Sequence, residues 1–126
     1  IANNEMTNVE MLGQIDNSEA KKLIGESMAM IYPTQWYEGF PMAVAEAYTM
    51  GTPIIASDIG NVGSLVIDGV TGMKFKSNSV VGLAKTVEKF MEDPVRLPEE
   101  YLTKYSEENN YVMLKHIYED VRRKNF

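Results

Sequence analysis

Pro41-Met42-Ala43-Val44-Ala45-Glu46-Ala47-Tyr48-Thr49-Met50, closed by Gly51 and followed by Thr52-Pro53-Ile54-Ile55-Ala56-Ser57, is the stretch that decides the fold. Residues 41–50 are apolar nearly all round, which is the pattern of a helix buried in a core. Gly51 stops it. Pro53 then stands at the first position of a short apolar run, where a strand can spare a ladder donor. A buried helix running straight into a buried strand is half of a strand–helix–strand unit. Glu46 is the only formally charged side chain in residues 39–56. A carboxylate isolated in such a setting is costly unless something hydrogen-bonds to it. No Lys or Arg occurs between Lys22 and Lys74, so no sequence neighbour can pair with it. The plainer alternative puts Glu46 on a narrow wet stripe of the helix. Pattern alone leaves the two readings balanced.

Upstream, Pro33-Thr34-Gln35-Trp36-Tyr37-Glu38-Gly39-Phe40-Pro41 connects a strand to this helix. In an open α/β sheet that is the end where ligands bind. Pro41 fits the first helical position. No Ser, Thr, Asp or Asn stands at the cap, so the first-turn amides lack an obvious partner. Free amides and the positive end of the helix dipole suit a phosphate, and Gly39 permits close backbone approach. At a rise of about 1.5 Å per residue, Glu46 lies roughly 8 Å below the Pro41 level. That is about a ribose away from a bound phosphate. A carboxylate accepts two hydroxyl hydrogen bonds, and vicinal ribose hydroxyls offer two donors. A second carboxylate, Glu38, precedes the helix.

Four short strands are expected to alternate with helices. They are residues 9–13, 28–32, 53–57 and 72–75. Helices are expected over residues 19–27, capped by Asn17-Ser18 with Leu23 and Ile24 inward, and over 41–50. A turn-rich loop at 58–63 leads to a short helix at Leu65-Val66. Val80, Leu83, Ala84, Val87, Phe90 and Met91 have helical spacing within residues 79–93, which Pro94 ends. Pro98 starts a short helix. Residues 109–123 make a last amphipathic one, with Met113, Ile117, Tyr118 and Val121 on one side and Arg122-Arg123-Lys124 in solvent. The fold class is therefore α/β, an open parallel sheet of about four strands with helices on both faces. Residues 1–126 form one domain, with 95–126 a helical extension.

The chain has 126 residues, no cysteine, one histidine and a net charge of −6. The acidic balance argues against a nucleic-acid partner and against an anionic membrane surface. One histidine and no cysteine exclude a multi-histidine or thiolate metal cluster within the chain. No apolar run approaches the roughly 20 residues of a membrane-spanning helix, and no secretory signal is visible. A cytoplasmic protein is expected, the parent being either free there or peripheral at the inner membrane face. His116 reads as a surface residue, and the nine methionines as core filler. Trp36 and Tyr37 either flank a pocket or pack under the loop. Asp58 either caps or lines the cleft. Ile1 and the residues after it read as the start of a piece of a longer protein.

Glu38-Gly39-Phe40-Pro41-Met42-Ala43-Val44-Ala45-Glu46-Ala47, then Gly51-Thr52-Pro53-Ile54-Ile55-Ala56-Ser57, resembles the E-x7-E segment of retaining GT-B glycosyltransferases of family GT4. Leu12-Gly13-Gln14-Ile15, Tyr32-Pro33-Thr34, Gly60-Asn61 and Asp68-Gly69-Val70-Thr71-Gly72 fall where that family has strand ends and glycine turns. The resemblance implies the Rossmann-like, C-terminal donor-binding domain of such an enzyme, truncated. It implies that Glu46 binds the donor ribose. Glu38 meets the transferred sugar on the reacting side as the catalytic residue. The amides of Gly39, Phe40, Met42 and Ala43 meet sugar hydroxyls and the diphosphate. Gln14 and Ile15 lie where the nucleobase rests. The substrate would be a UDP-, GDP- or ADP-sugar, with no metal and no cofactor. The acceptor, a sugar, lipid or protein, would be bound by an N-terminal domain that is absent here.

The family's two earlier strands, and the basic pair that neutralises the diphosphate, are also absent from this sequence. Ser64 stands where many relatives carry Glu. The two earlier strands normally separate the strand at 9–13 from that at 28–32. The fragment is therefore expected either to pair them directly or to fill the gap by association with another chain, for example as a dimer through the exposed sheet edge. The implied activity is hexose transfer to a hydroxyl acceptor, with the fragment inactive alone. The alternatives are a nucleotide-sugar epimerase on the same scaffold and a non-catalytic binding module.

Overall fold

The structure is a computed structural model that describes residues 6–125. Three parallel strands, β1 (Met30–Tyr32), β2 (Ile54–Ser57) and β3 (Gly72–Phe75), form a sheet of order β1-β2-β3. Met30 lies opposite Ile54, and Ile54 opposite Gly72. β2 is central and buried along its whole length, as a strand covered on both faces should be. Alternate residues of the strands face opposite ways and build two cores. Ile54 and Ala56, with Met30 and Tyr32, pack against Ile24 of α1 (Asn17–Glu26), Val44, Ala47 and Tyr48 of α2 (Met42–Thr49), Val62 of α3 (Gly60–Leu65) and Tyr101 of α5 (Tyr101–Lys104). Ile55, Met73 and Phe75 pack on the other face against Leu83, Val87 and Phe90 of α4 (Val80–Glu92). A last helix, α6, spans Glu107–Asn125. Among the described residues no helix is long and apolar enough to cross a membrane.

The sheet has three strands where four are expected. Residues 9–13 form no strand and do not pair with β1, so direct pairing across the gap is overturned. Val9, Met11 and Leu12 are exposed. A β-type run is stable only in a ladder, and this segment has none beside it. β1 therefore remains an edge, with Ile31 46% exposed.

The helices depart from expectation in smaller ways. α1 begins at Asn17, with Asp16 at the cap and no side-chain bond there. Its inward residue is Ile24, whose carbonyl accepts from Thr52 Oγ1 at 2.7 Å, whereas Leu23 is exposed. α3 starts at Gly60, inside the stretch expected to be a loop. Gly63 lies so close to Asp58 that a Cβ there would stand 2.5 Å from its Oδ1. Glycine is a poor helix former, which is why the sequence pattern hides this turn of helix. α4 matches its expected span, with Ser79 Oγ accepting from the Gly82 amide at 2.9 Å. Val80 and Met91, however, are exposed; packing falls to the i, i+4, i+7 set Leu83, Val87 and Phe90. On α6 the expected apolar face is exposed at Met113, Ile117, Tyr118 and Val121. His116 sits on the surface as expected, 4.0 Å from Glu119. The methionines are mostly not core filler: Met11, Met28, Met42, Met91 and Met113 are exposed, while Met73 is buried.

Tyr48 anchors the larger core and is 0% exposed. Its hydroxyl lies 2.8 Å from Thr71 Oγ1 and 3.2 Å from the Leu65 carbonyl. Its ring meets that of Tyr101 edge-on at 5.5 Å. Burial pushes the phenol up to about 12, with the Thr71 hydrogen bond opposing. The folded value exceeds the unfolded one of about 10. The stability this group contributes is therefore intact below pH 10 and is lost as pH rises towards 12. Urea unfolding at stepped pH is expected to show that fall. Tyr48→Phe should reduce it, at a cost of about 1 kcal/mol at neutral pH.

Candidate functional site

The carboxyl ends of β1 and β2 and the first turn of α2 meet at one surface. α2 begins one residue later than expected. Pro41 is its N-cap, extended at φ −76° and ψ 95°, and no side chain caps the helix. The Pro41 carbonyl accepts from the amides of Val44 and Ala45 at 3.1 and 3.4 Å. The Met42 and Ala43 amides lie before those bonds, at the positive end of the dipole. A proline cap explains this, since its ring carries no hydroxyl or carboxylate to fold back on the first turn. Gly39 has nothing within 4 Å of where a Cβ would stand, so the approach to its backbone is open. Phe40 and Met42 are exposed, and the Phe40 ring lies 5.7 Å from that of Tyr105.

Glu38 is held, not free. The Tyr32 phenol donates to its carboxylate at 2.9 and 3.0 Å, and Thr34 Oγ1 donates at 3.1 Å. Burial raises the Tyr32 phenol above its usual value, and the bond to Glu38 and its charge add to the rise. Tyr32 therefore stays protonated and a donor at neutral pH. Asn61 of α3 donates through Nδ2 to the Glu38 and Gly39 carbonyls at 2.9 and 2.6 Å. Both ends of the residue are thus tied, the side chain by β1 and its extension and the backbone by α3. The half-buried carboxylate has lone pairs left for a ligand hydroxyl.

Glu46 is not unpaired. Lys21 of α1 places Nζ 3.5 Å from its Oε1, with the two side chains 40% and 32% exposed. No cation near it in sequence pairs with it; the partner comes from another helix packed on α2. The carboxylate is half-buried, between the two sequence readings. An ion pair this exposed is worth at most about 1 kcal/mol, so ligand hydroxyls can share or displace it at little cost. Gln14 is exposed and Ile15 half-buried, on the segment that enters α1. Trp36 and Tyr37 are 76% and 83% exposed, so they do not pack under the loop. Asp58 lies 3.5 Å from Lys74 Nζ, which also donates to the Gly63 carbonyl. Among the described residues no group of three or more His, Cys, Asp or Glu could hold a metal ion.

Sequence reasoning missed the four residues that organise the site. Tyr32 and Thr34 carry a readable signal: alternate residues of an extended segment share a side, and both point at Glu38. Asn61 and Lys21 carry none, because each reaches the site through tertiary packing.

With this geometry in place the relatives become informative. The sequence profile described as Glycosyl transferases group 1 matches residues 2–110. The chain belongs to this family. Among curated relatives, a glycogen synthase of Mycobacterium tuberculosis is 36% identical over 83 residues, which cover 66% of this chain and 20% of that protein. An uncharacterized glycosyltransferase of Methanocaldococcus jannaschii is 25% identical over 127 residues, covering 96% of this chain and 36% of that protein. Among solved structures, a sucrose-phosphate synthase from Thermosynechococcus elongatus superposes with a TM-score of 0.74 at 23% identity, covering 93% of this chain and 31% of that one. At that identity the likeness speaks to fold, and the fold is that of a Rossmann-like C-terminal GT-B fragment. This group 1 chain spans a fifth to about a third of the length of these relatives.

Proposed function

We propose that this chain is the donor-binding portion of a retaining glycosyltransferase, one that moves a hexose from a UDP-, GDP- or ADP-sugar to a hydroxyl acceptor. The observation that carries the reading is the uncapped N-terminus of α2, with one carboxylate held just before it and another one turn inside it. The amides of Met42 and Ala43 bind the diphosphate, and those of Gly39 and Phe40 meet the sugar hydroxyls. Glu46 accepts from the ribose hydroxyls, with the Lys21 ammonium 3.5 Å away on the neighbouring helix. Gln14 and Ile15 border the base. Glu38 accepts from hydroxyls of the transferred sugar and orients its anomeric carbon towards the acceptor. The leaving diphosphate gains charge as the glycosidic bond breaks, and preorganised amides stabilise that charge. Further cations and the acceptor come from the remainder of the longer protein, so the 126-residue chain alone does not turn over.

The test is turnover by the full-length protein, with the anomeric configuration of the product read by NMR. The α-anomer from an α-linked donor, formed only with acceptor present, is the expected result. A donor epimer formed without acceptor would mean epimerase chemistry. Tight nucleotide binding with no product from any donor–acceptor pair would mean a binding module.

A further inference from the structure

A second concavity opens at the carboxyl ends of the strands, on the sheet face covered by α4. Pro33, Gln35, Ser57, Phe75, Asn78 and Val80 line it. Its volume is about 100 Å³. One water needs only about 10–15 Å³ by this measure, so the space admits a group of several heavy atoms. Ser57 ends β2 and is 1% exposed. Its Oγ is the one buried side-chain polar atom among the described residues with no hydrogen-bond partner. Buried polar groups in native proteins are nearly always paired, and an orphan asks for an occupant. An alanine would end this apolar strand without that cost.

The other polar groups around the cleft point to the class of occupant. Gln35 Nε2 donates to Asn78 Oδ1 at 2.9 Å, tying two loops across it. Asn78 holds a positive φ of 65°, a conformation asparagine tolerates better than most residues. Once that bond is made, the Gln35 carbonyl oxygen can still accept and the Asn78 amide nitrogen can still donate. Ser57 does both. No ionisable side chain lines the cleft, while Pro33, Phe75 and Val80 offer apolar wall. A phosphate or carboxylate would meet no countercharge here. Alternating hydroxyl and C–H surface is the complement of this lining.

We propose that this cleft binds the hydroxyl-bearing edge of a neutral polyol or sugar, with Ser57 Oγ as its buried hydrogen-bond partner. The cleft is distinct from the donor surface. Tyr32 and Thr34 turn their hydroxyls to Glu38, whereas Pro33 and Gln35, between and after them, line the cleft. One extended strip thus separates the two, and an occupant stiffens the strip that orients Glu38. The proposal stands without the donor reading, because its ligand and its residues are different.

The experiment is a ¹⁵N NMR titration of the chain with glycerol and, separately, methyl α-glucoside. Expected are saturable shifts at the Ser57 and Ser79 amides and at the Gln35 and Asn78 side-chain amides. Ser57→Ala should weaken binding about tenfold or more without loss of the folded spectrum. Gln35→Ala, an exposed position, is the second variant and should weaken it too. The absence of saturable shifts with either probe would overturn the proposal and leave a water-filled cleft. Shifts that persist unchanged in both variants would overturn it equally. UDP, GDP and ADP titrated in parallel read residues 42–46, so the donor reading succeeds or fails separately.

Discussion

Glu38→Gln in the full-length protein is expected to lower kcat by roughly 10²-fold, the scale seen when one preorganised polar contact to a transition state is lost. KM for the donor should stay within about threefold, because in the proposed binding mode the ribose and diphosphate contacts do not involve this residue. Glutamine keeps the size of the side chain and one carbonyl oxygen, so Tyr32 and Thr34 can still donate to it. On the proposed function, what disappears is the negative charge beside the sugar whose anomeric carbon turns cationic as the bond breaks. The clamp makes the prediction strict. A carboxylate held at 2.9–3.1 Å by two hydroxyls costs little reorganisation at the moment of reaction. Steady-state kinetics with a matched thermal melt checks it. A fall in kcat with an unchanged melting temperature is the expected pair; an unchanged kcat would remove Glu38 from the chemistry. Glu46→Ala should show the opposite split, a donor KM raised about tenfold, with a smaller change in kcat.

Gly72→Ala is the substitution expected to damage the fold most. A Cβ at Gly72 would stand 1.8 Å from the Ile54 carbonyl oxygen and 2.8 Å from its carbon. Both belong to the backbone of the central strand, so no rotamer change relieves the clash. β2 and β3 must separate at the first pair of their ladder. Overpacking of this kind costs about 3 kcal/mol or more, against a total stability on the order of 5–15 kcal/mol. A melting temperature lower by roughly 10 °C is expected. Gly69→Ala is the control. Gly69 has a positive φ of 75° but nothing within 4 Å, so only conformational strain opposes a side chain, worth about 1 kcal/mol. Equal losses at the two positions would mean that the β2–β3 contact is looser than described.

Much of this architecture was legible because the informative elements carry local signals. α2 and β2 announce themselves by an apolar run punctuated at Gly51 and Pro53. β3 lies between Gly72 and the turn before Ser79, and α4 lies between a serine cap and Pro94. The loop from residue 33 to residue 41 joins β1 to α2 as the pattern of an open α/β sheet requires. What escaped was everything that depends on a distant partner. Residues 9–13 have strand composition, but composition does not supply a ladder. The Lys21–Glu46 pair joins residues on two helices, and only the packing of α1 on α2 brings them together. The apolar side of α6 is legible but its exposure is not, because periodicity reports a face and not what covers it. The orphan state of Ser57 depends on the shape of a cleft built from three loops, which no residue pattern encodes.

The first turn of α2 and Glu46 are proposed as a nucleoside diphosphate site. The most direct measurement follows the backbone amides of residues 39–47 by NMR while the chain is titrated with UDP, GDP and ADP, with Glu46→Ala as control. Expected are saturable shifts, strongest at Met42 and Ala43, stronger for one base than for the others and lost or much weakened in the variant. Shifts absent at millimolar nucleotide, both in this chain and in the full-length protein, would contradict it.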